Sequence, residues 1–365
     1  MNIRILTVTF MFIAMFTLVD HVDAQRTNKY KRLKQNSKKL SRYHGTARRK
    51  NRFQPYFYVG SSINAGNYFG DLAPRSEAAS TDISFTRPGL GIYGGYKFHH
   101  SLALRGGFNW IRVYGDDFSA DPNGNESEKS RYVRNLSFRN DIKEFQLGLE
   151  IYLLPNFDGP YRRLPFNIYL FVGGTIYHHA PHGLVPNFDY QSDTEGDGIF
   201  EASNFELAPQ AGEWVNLRKL KTEGESYSSV GFSIPLSIGA HMALPGTPFN
   251  LGVEFGIRYL FTDYIDDVSG QYLALDSFED PLARIMSDKS TVPVSSRDEA
   301  RDLTILNINQ ETFSNGETYF IESNNGTGLE GSVRGDPNDN DLIFVTQLKI
   351  TYIFGGVIRR RAKYR

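Results

Sequence analysis

Residues Phe249–Tyr272 read FNLGVEFGIRYLFTDYIDDVSGQY. In the first half, Leu251, Val253, Phe255, Ile257, Tyr259 and Phe261 fall on one face, and Gly252, Glu254, Gly256, Arg258 and Thr262 on the other. A period of two belongs to a β-strand. The apolar face runs for about as many residues as a tilted strand needs to cross a bilayer, and the opposite face carries Glu254 and Arg258, which lipid does not tolerate. Such a strand has lipid on one side and the inside of a barrel on the other. At Asp263 the alternation stops and a polar segment with Asp263, Asp266 and Asp267 precedes Gly270, so the strand leaves the membrane there.

Seven more segments alternate in the same way, near 56–68, 89–97, 102–114, 141–154, 166–177, 230–244 and 342–354, and with 251–262 they make eight. In the fourth, Phe145, Leu147, Leu149, Ile151 and Leu153 share one face, with Glu144, Gln146 and Glu150 on the other. An even number of strands closes a barrel with both chain ends on one side. The connections agree: FHHS, PNFDGPYRRLP and PGTPF are short, whereas those near 69–88, 115–140, 178–229 and 263–341 are long. Short and long links alternate, the pattern of periplasmic turns and extracellular loops, which puts both termini in the periplasm. The sequence therefore predicts an all-β fold, an eight-stranded antiparallel transmembrane β-barrel with long extracellular loops, over residues 54–356. An eight-stranded barrel is narrow enough for side chains to fill, so inward Arg105, Glu144, Glu150, Glu254, Arg258 and Lys349 are expected to pair and seal the lumen.

Composition fits this reading. The chain has 27 Phe and 21 Tyr against 5 Met and 2 Trp, favouring pleated surfaces and aromatic girdles. A mean hydropathy of -0.39 speaks against bundled membrane helices but not against strands that are half polar. The absence of Cys excludes disulfides and zinc-thiolate sites. Gly pairs at 94/95, 106/107 and 173/174 lie inside strands, where bulges or tight interior packing are expected rather than phosphate-binding turns.

The formal net charge of -1 hides segregation. Residues 1–24 place Arg4 before an apolar run and end in Val22-Asp23-Ala24, which reads as a signal peptide; the run is short for a retained anchor. Residues 25–53 form a basic extension with Arg26, Lys29, Lys31, Arg32, Lys34, Lys38, Lys39, Arg42, Arg48, Arg49, Lys50 and Arg52 and no acid. Such a segment cannot collapse alone and is expected to be disordered until bound, as a solvated spacer or against anionic lipid headgroups or an acidic periplasmic protein. Nucleic acid is not expected as a partner of an exported chain. Residues 357–365 close the chain as a basic periplasmic tail with Arg359, Arg360 and Arg361. Between these ends, residues 55–358 carry 22 Lys or Arg against 39 Asp or Glu, and the 263–341 loop alone has 17 acids and 5 bases.

Sites for chemistry are few. His178, His179 and His182 cluster after the fifth strand and His99-His100 form a turn, but adjacent residues of a strand point to opposite faces, which does not converge on a metal. Asp336, Asp339 and Asp341, or the acids of DYIDD, could offer oxygen ligands to calcium, without EF-hand spacing; solvated loop acids or partners for Arg334 are the expectation. No nucleophile elbow, HExxH or other spaced motif is present, so no enzyme, no cofactor and no metal site are expected.

Five segments carry a more specific resemblance: NYFGDL at 67–72, RNLSFRNDIKEF at 134–145, EWVNLRKLKTEGE at 213–225, FTDYIDDVSGQY at 261–272 and RGDPNDND at 334–341. In this order they resemble the PorG-like outer-membrane β-barrel family of Bacteroidetes, part of the type IX secretion system. The resemblance implies a barrel that docks to a periplasmic ring of PorK and PorN type, supports export of cargo proteins and, in some members, gliding. Asp263, Tyr264, Asp266, Asp267, Gly270 and Tyr272 match the family motif, and the resemblance assigns them no chemistry; a Gly shortly after a strand suggests a turn that pins the extracellular rim. The long basic extension, the large last loop and the ending RRRAKYR depart from the family pattern. The alternative function is a stand-alone barrel whose acidic loop captures an external ligand or cation.

Overall fold

The computed structural model describes residues 53–73, 87–193, 198–200, 210–322, 328–337 and 340–356. The signal-peptide reading and the basic segments 25–52 and 357–365 lie outside them. The described residues form twelve strands: β1 (Tyr56–Phe69), β2 (Arg87–Lys97), β3 (Leu102–Asp116), β4 (Ser137–Tyr152), β5 (Phe166–His178), β6 (Pro181–Leu184), β7 (Trp214–Asn216), β8 (Val230–Ala243), β9 (Phe249–Leu260), β10 (Ile308–Thr312), β11 (Thr318–Glu322) and β12 (Leu342–Ile353). Short helices sit in the long loops: α1 (Glu126–Arg134), α2 (Leu217–Leu220) and α3 (Pro281–Ser287). None is long and apolar enough to cross a membrane; the strands cross.

Eight strands, β1 to β5, β8, β9 and β12, pair antiparallel in sequence order and close where β12 meets β1. The register closes without a bulge. Starting at Phe57, the partners are Tyr96, Leu104, Leu149, Val172, Leu236, Ile257 and Phe344, and the ring returns to β1 at Asn67. That stagger of ten residues (57 to 67), at ~3.3 Å per residue over eight strands ~4.8 Å apart, tilts the strands by roughly 40°. Side chains fill a barrel of this size.

Every outward residue of this ring up to Phe344 is apolar or aromatic, and exposed outward side chains such as Ile63, Ile92, Phe145, Ile238, Leu251 and Leu348 extend the apolar band around the barrel. Large apolar side chains left at 40–65% exposure over a whole cylinder have one physical solvent, the hydrocarbon of a bilayer. Inside, four tyrosines lie over glycines directly across the ladder: Tyr58 over Gly95, Tyr93 over Gly60, Tyr169 over Gly239 and Tyr177 over Gly231. A Cβ on Gly95 would come within 2.2 Å of the Tyr58 ring, so these in-strand glycines provide the tight interior packing expected of a narrow barrel.

The eight strands fall where the alternation places them, to within a few residues. The largest difference is β4, which begins at Ser137, not Asp141. Its first residues, SFRND, rise above the apolar band, so the outward face turns polar and the apolar-out alternation is lost. The long loops also differ from plain connections: they hold helices and strands and pack into a cap over the open rim.

Candidate functional site

Two regions could carry function: the lumen and the extracellular cap. From the short-turn end upward, the lumen begins with an aromatic cluster of Tyr58, Tyr93, Tyr152 and Tyr169 with Ala103 and Ile353. Above it lies a layer of charge. Arg105, fully buried, donates through Nη1 to Glu150 and to Glu254, both at 2.7 Å, and through Nη2 to Glu254 at 2.9 Å. Lys349 donates to Glu254 at 2.7 Å. Tyr58 and Tyr152 each donate to Glu150 at 2.6 Å, and Tyr169 donates to Glu254 at 2.7 Å. The Phe171 ring lies 3.8 Å from the Arg105 guanidinium. A second layer joins Arg258 to Glu144 at 3.3 Å, with Asn109 donating to Glu144 at 2.7 Å and Asn64 to Asn109 at 3.3 Å.

The six inward charges predicted from alternation thus form three cations against three carboxylates, all within ion-pair contact. Buried charge needs such matching, because removing one partner of a buried pair costs about 3–5 kcal/mol. Above them an apolar plug of Ile111, Val113, Phe138, Ile142, Leu260, Ile343 and Val345 closes the upper lumen. At the lower mouth a cavity of about 30 Å³ lined by Tyr56, Tyr152, Tyr169, His241 and Lys349 has room for a water or two, not for a solute path.

The cap is where the motif residues meet. Asp266 accepts from the Tyr68 hydroxyl at 2.8 Å and from the Leu72 N–H at 3.1 Å. Asp341 accepts from the same hydroxyl in a short bond, and from the Ile265 N–H at 2.8 Å. Asp267 accepts from Thr222 and Tyr227, each at 2.5 Å, and holds a left-handed φ of 71°. Glu223 accepts from the N–H groups of Ser269 and Gly270 at 3.0 Å and from Arg334 at 2.7 Å. Arg334 in turn donates to the Asp267 carbonyl at 2.5 Å. Arg134 donates to the Asp71 carbonyl at 2.9 Å and to Asp117 at 2.7 Å, and Asn140 donates to the Ile265 carbonyl at 2.7 Å. Tyr272 is buried, with its N–H donating to the Ser332 carbonyl at 2.9 Å. Tyr264 stacks on Tyr227 at 4.4 Å, and Tyr227 on His179 at 6.0 Å.

All five segments that carry the family resemblance therefore converge on one junction. Each supplies a partner that another leaves buried. The acids of DYIDD are correspondingly not solvated: Asp263, Asp266 and Asp267 are buried, as is Asp341. For Asp266, Asp267 and Asp341 the reason is that the loops bring Tyr68, Thr222, Tyr227 and Arg334 to them, which a strand period cannot reveal. Asp117, which anchors Arg134 and accepts from the Leu136 N–H at 3.1 Å, carried no sequence signal.

Burial sets the titration of these cap groups. It pushes the Asp267 carboxyl up to about 6, against the lowering effect of Arg334, Thr222 and Tyr227. It raises Asp266, with the Asp71 charge adding to it, and raises Asp341, with Asp266 adding. Lys289, buried and donating to the Leu184 carbonyl at 2.5 Å, is pushed down to about 7. Burial lowers His179 to about 4.

The histidines do not converge: His178 is exposed, His179 is buried and bonded to the Ser228 carbonyl at 3.0 Å, and His99 and His100 lie against each other at a 40° tilt in the short turn. Among the described residues no three of His, Cys, Asp or Glu are grouped to hold a metal ion. Asp339 lies outside the described residues, as do the basic residues at 26–52 and 359–361.

Residues 44–276 match the family described as outer membrane protein beta-barrel domain. No curated protein matches the sequence. Among solved structures, the chain is similar to the attachment invasion locus protein Ail of Yersinia pestis, in complex with a heparin analogue, at 8% identity, covering 82% of this chain and 97% of that one with a TM-score of 0.29. It is also similar to Neisserial surface protein A at 9% identity, covering 82% and 98% with a TM-score of 0.31. A major outer membrane protein of Thermus thermophilus shares 12% identity, covering 82% and 99%, also at 0.31. The fold itself rests on the closed register and the family match.

Proposed function

This chain belongs to the outer membrane protein beta-barrel domain family and sits in the outer membrane, and on that premise we propose that it is a non-enzymatic docking component of the type IX secretion system. One observation carries the reading: the barrel is sealed, and both of its ends leave from one rim. Tyr58 pairs with Ile353, so the described chain enters and leaves the barrel on one rim, the short-turn end, and we take that rim as the periplasmic one. A closed lumen leaves no route for solute or cargo, which gives the barrel the role of an anchor. The basic segments, with 12 and 5 positive charges, are the docking arms toward an acidic surface of a periplasmic ring or inner-leaflet headgroups. Each exposed pair contributes little and is screened by salt, but many on one tether add through effective concentration.

The alternative, an acidic loop that captures a ligand or cation, has less support, because Asp266, Asp267 and Asp341 are already bonded within the cap. Photo-cross-linking from residues 26–52 in intact envelopes tests the proposal. It expects adducts to a periplasmic ring protein and loss of cargo secretion on removing the segment. Unchanged ring association and secretion without the segment would overturn it.

A further inference from the structure

We propose that the β2–β5 wall of the barrel carries a binding site for the phosphate groups of the outer-leaflet glycolipid. On β3 and β4 of this wall the outward residues just above the apolar band are charged. On β4 they run Lys143, Asp141 and Arg139, directly after the apolar Phe145, Leu147 and Leu149. Successive outward positions on a strand are ~7 Å apart, so these side chains climb from the edge of the hydrocarbon into the headgroup layer. Lys143 is exposed, pairs in register with Trp110 and His178, and has no carboxylate partner among the described residues.

Arg112 stands next to Asp141 across the ladder and donates to it from two nitrogens, at 2.6 and 2.7 Å, with about a third of each side chain exposed. Its guanidinium lies 5.4 Å from the Trp110 ring. Higher still, Arg139 lies over Trp214 at 4.6 Å. The outward acids of β3 and β4 are both paired, Asp141 with Arg112 and the buried Asp116 with Arg297, so Lys143 and Arg139 give the patch an excess of cations beside the indoles of Trp110 and Trp214.

The opposite wall is different. There the outward residues at the same end are Phe232, Tyr259, Phe261, Leu342 and Phe344, none of them charged. One-sided basic charge at the height of the aromatic girdle, continuous with a surface that is already in lipid, meets headgroups by construction. The face that would meet it carries phosphate monoesters, which guanidinium and ammonium groups bind by charge-assisted hydrogen bonds. The cations reach this layer while their stems lie on the apolar band.

The test uses the full chain in mild detergent, with diphosphorylated lipid A and its dephosphorylated form as probes, read by native mass spectrometry. The patch predicts that the phosphorylated lipid binds about tenfold more tightly than the dephosphorylated one, and that R139Q/K143Q erases that difference. D141N frees Arg112 and removes the competing carboxylate, so it should tighten the phosphorylated lipid. R162Q, in the exposed periplasmic turn, should change nothing. K143Q alone, an exposed side chain, gives a partial loss and keeps the test valid if the double variant does not fold into a heat-modifiable barrel. Equal binding of the two lipids would overturn the proposal. So would equal losses in R162Q and R139Q/K143Q, or a patch variant that loses a co-purifying protein but no lipid.

Discussion

At the scale of single residues, the cap is held by buried ionisable groups whose protonation differs between the folded and open states. The Asp267 carboxyl, raised to about 6, takes up a proton more readily in the closed cap than in an open one, where the ordinary carboxylate range near 4 applies. Its contribution to stability is therefore fully present below about pH 4 and lost as pH rises through about 6, a swing of about 3 kcal/mol. Asp266 and Asp341 are raised too and act with the same sign. Lys289, lowered to about 7, acts in another window: it holds fewer protons closed than open, so stability rises with pH from about 7 to about 10.4. Hydrogen exchange over residues 263–272, corrected for intrinsic rates, should show stronger protection at pH 5 than at pH 7, and Asp267→Asn should flatten that slope. The six lumen charges were legible from alternation, since the period of two assigns each a side. Their partners were not. Arg105 meets Glu254, 149 positions away, only because a ten-residue stagger brings β3 and β9 face to face across the lumen.

At the scale of elements, the strand ladder of the barrel and the side-chain bonds among the cap loops predict two stabilising units, joined where both meet the apolar plug. The strands were readable because lipid on one side and a packed lumen on the other enforce strict alternation. The loops were not, because their order comes from contacts such as Tyr68 to Asp266, 198 residues apart, and Arg301 to the carbonyls of Tyr132 and Val133 at 2.8 Å. The motif itself could be recognised, yet its role as the meeting point of five segments needed their positions in space. Arg334→Met leaves Glu223 buried without its cation, at a cost of about 3–5 kcal/mol. Limited proteolysis should then cut within 263–341 while the barrel keeps its heat-modifiable migration; if barrel and cap are lost together, they are not separate units. In the strands, Gly239→Val would drive a side chain into the Tyr169 ring, where even a Cβ sits 2.4 Å from Cζ. Overpacking of this kind typically costs about 1–3 kcal/mol, and should appear as a lower midpoint of urea unfolding in detergent.

At the scale of the whole molecule, a cap of packed loops over one rim and a lumen filled with paired charges and an apolar plug describe a scaffold with a polarity. In planar bilayers the chain should give no steady conductance, and Arg105→Ala, which opens space in the charge layer, should still leave the apolar plug of Ile111, Phe138 and Ile343 closed. Stable open steps in the wild type would mean that the lumen is a path after all. The docking claim is tested most directly by affinity isolation of the full chain from outer membranes in mild detergent at low and at high salt. A periplasmic ring protein should be retained at low salt, released at high salt, and absent when residues 26–52 are removed. A partner that stays bound at high salt, or is retained equally without that segment, would contradict it.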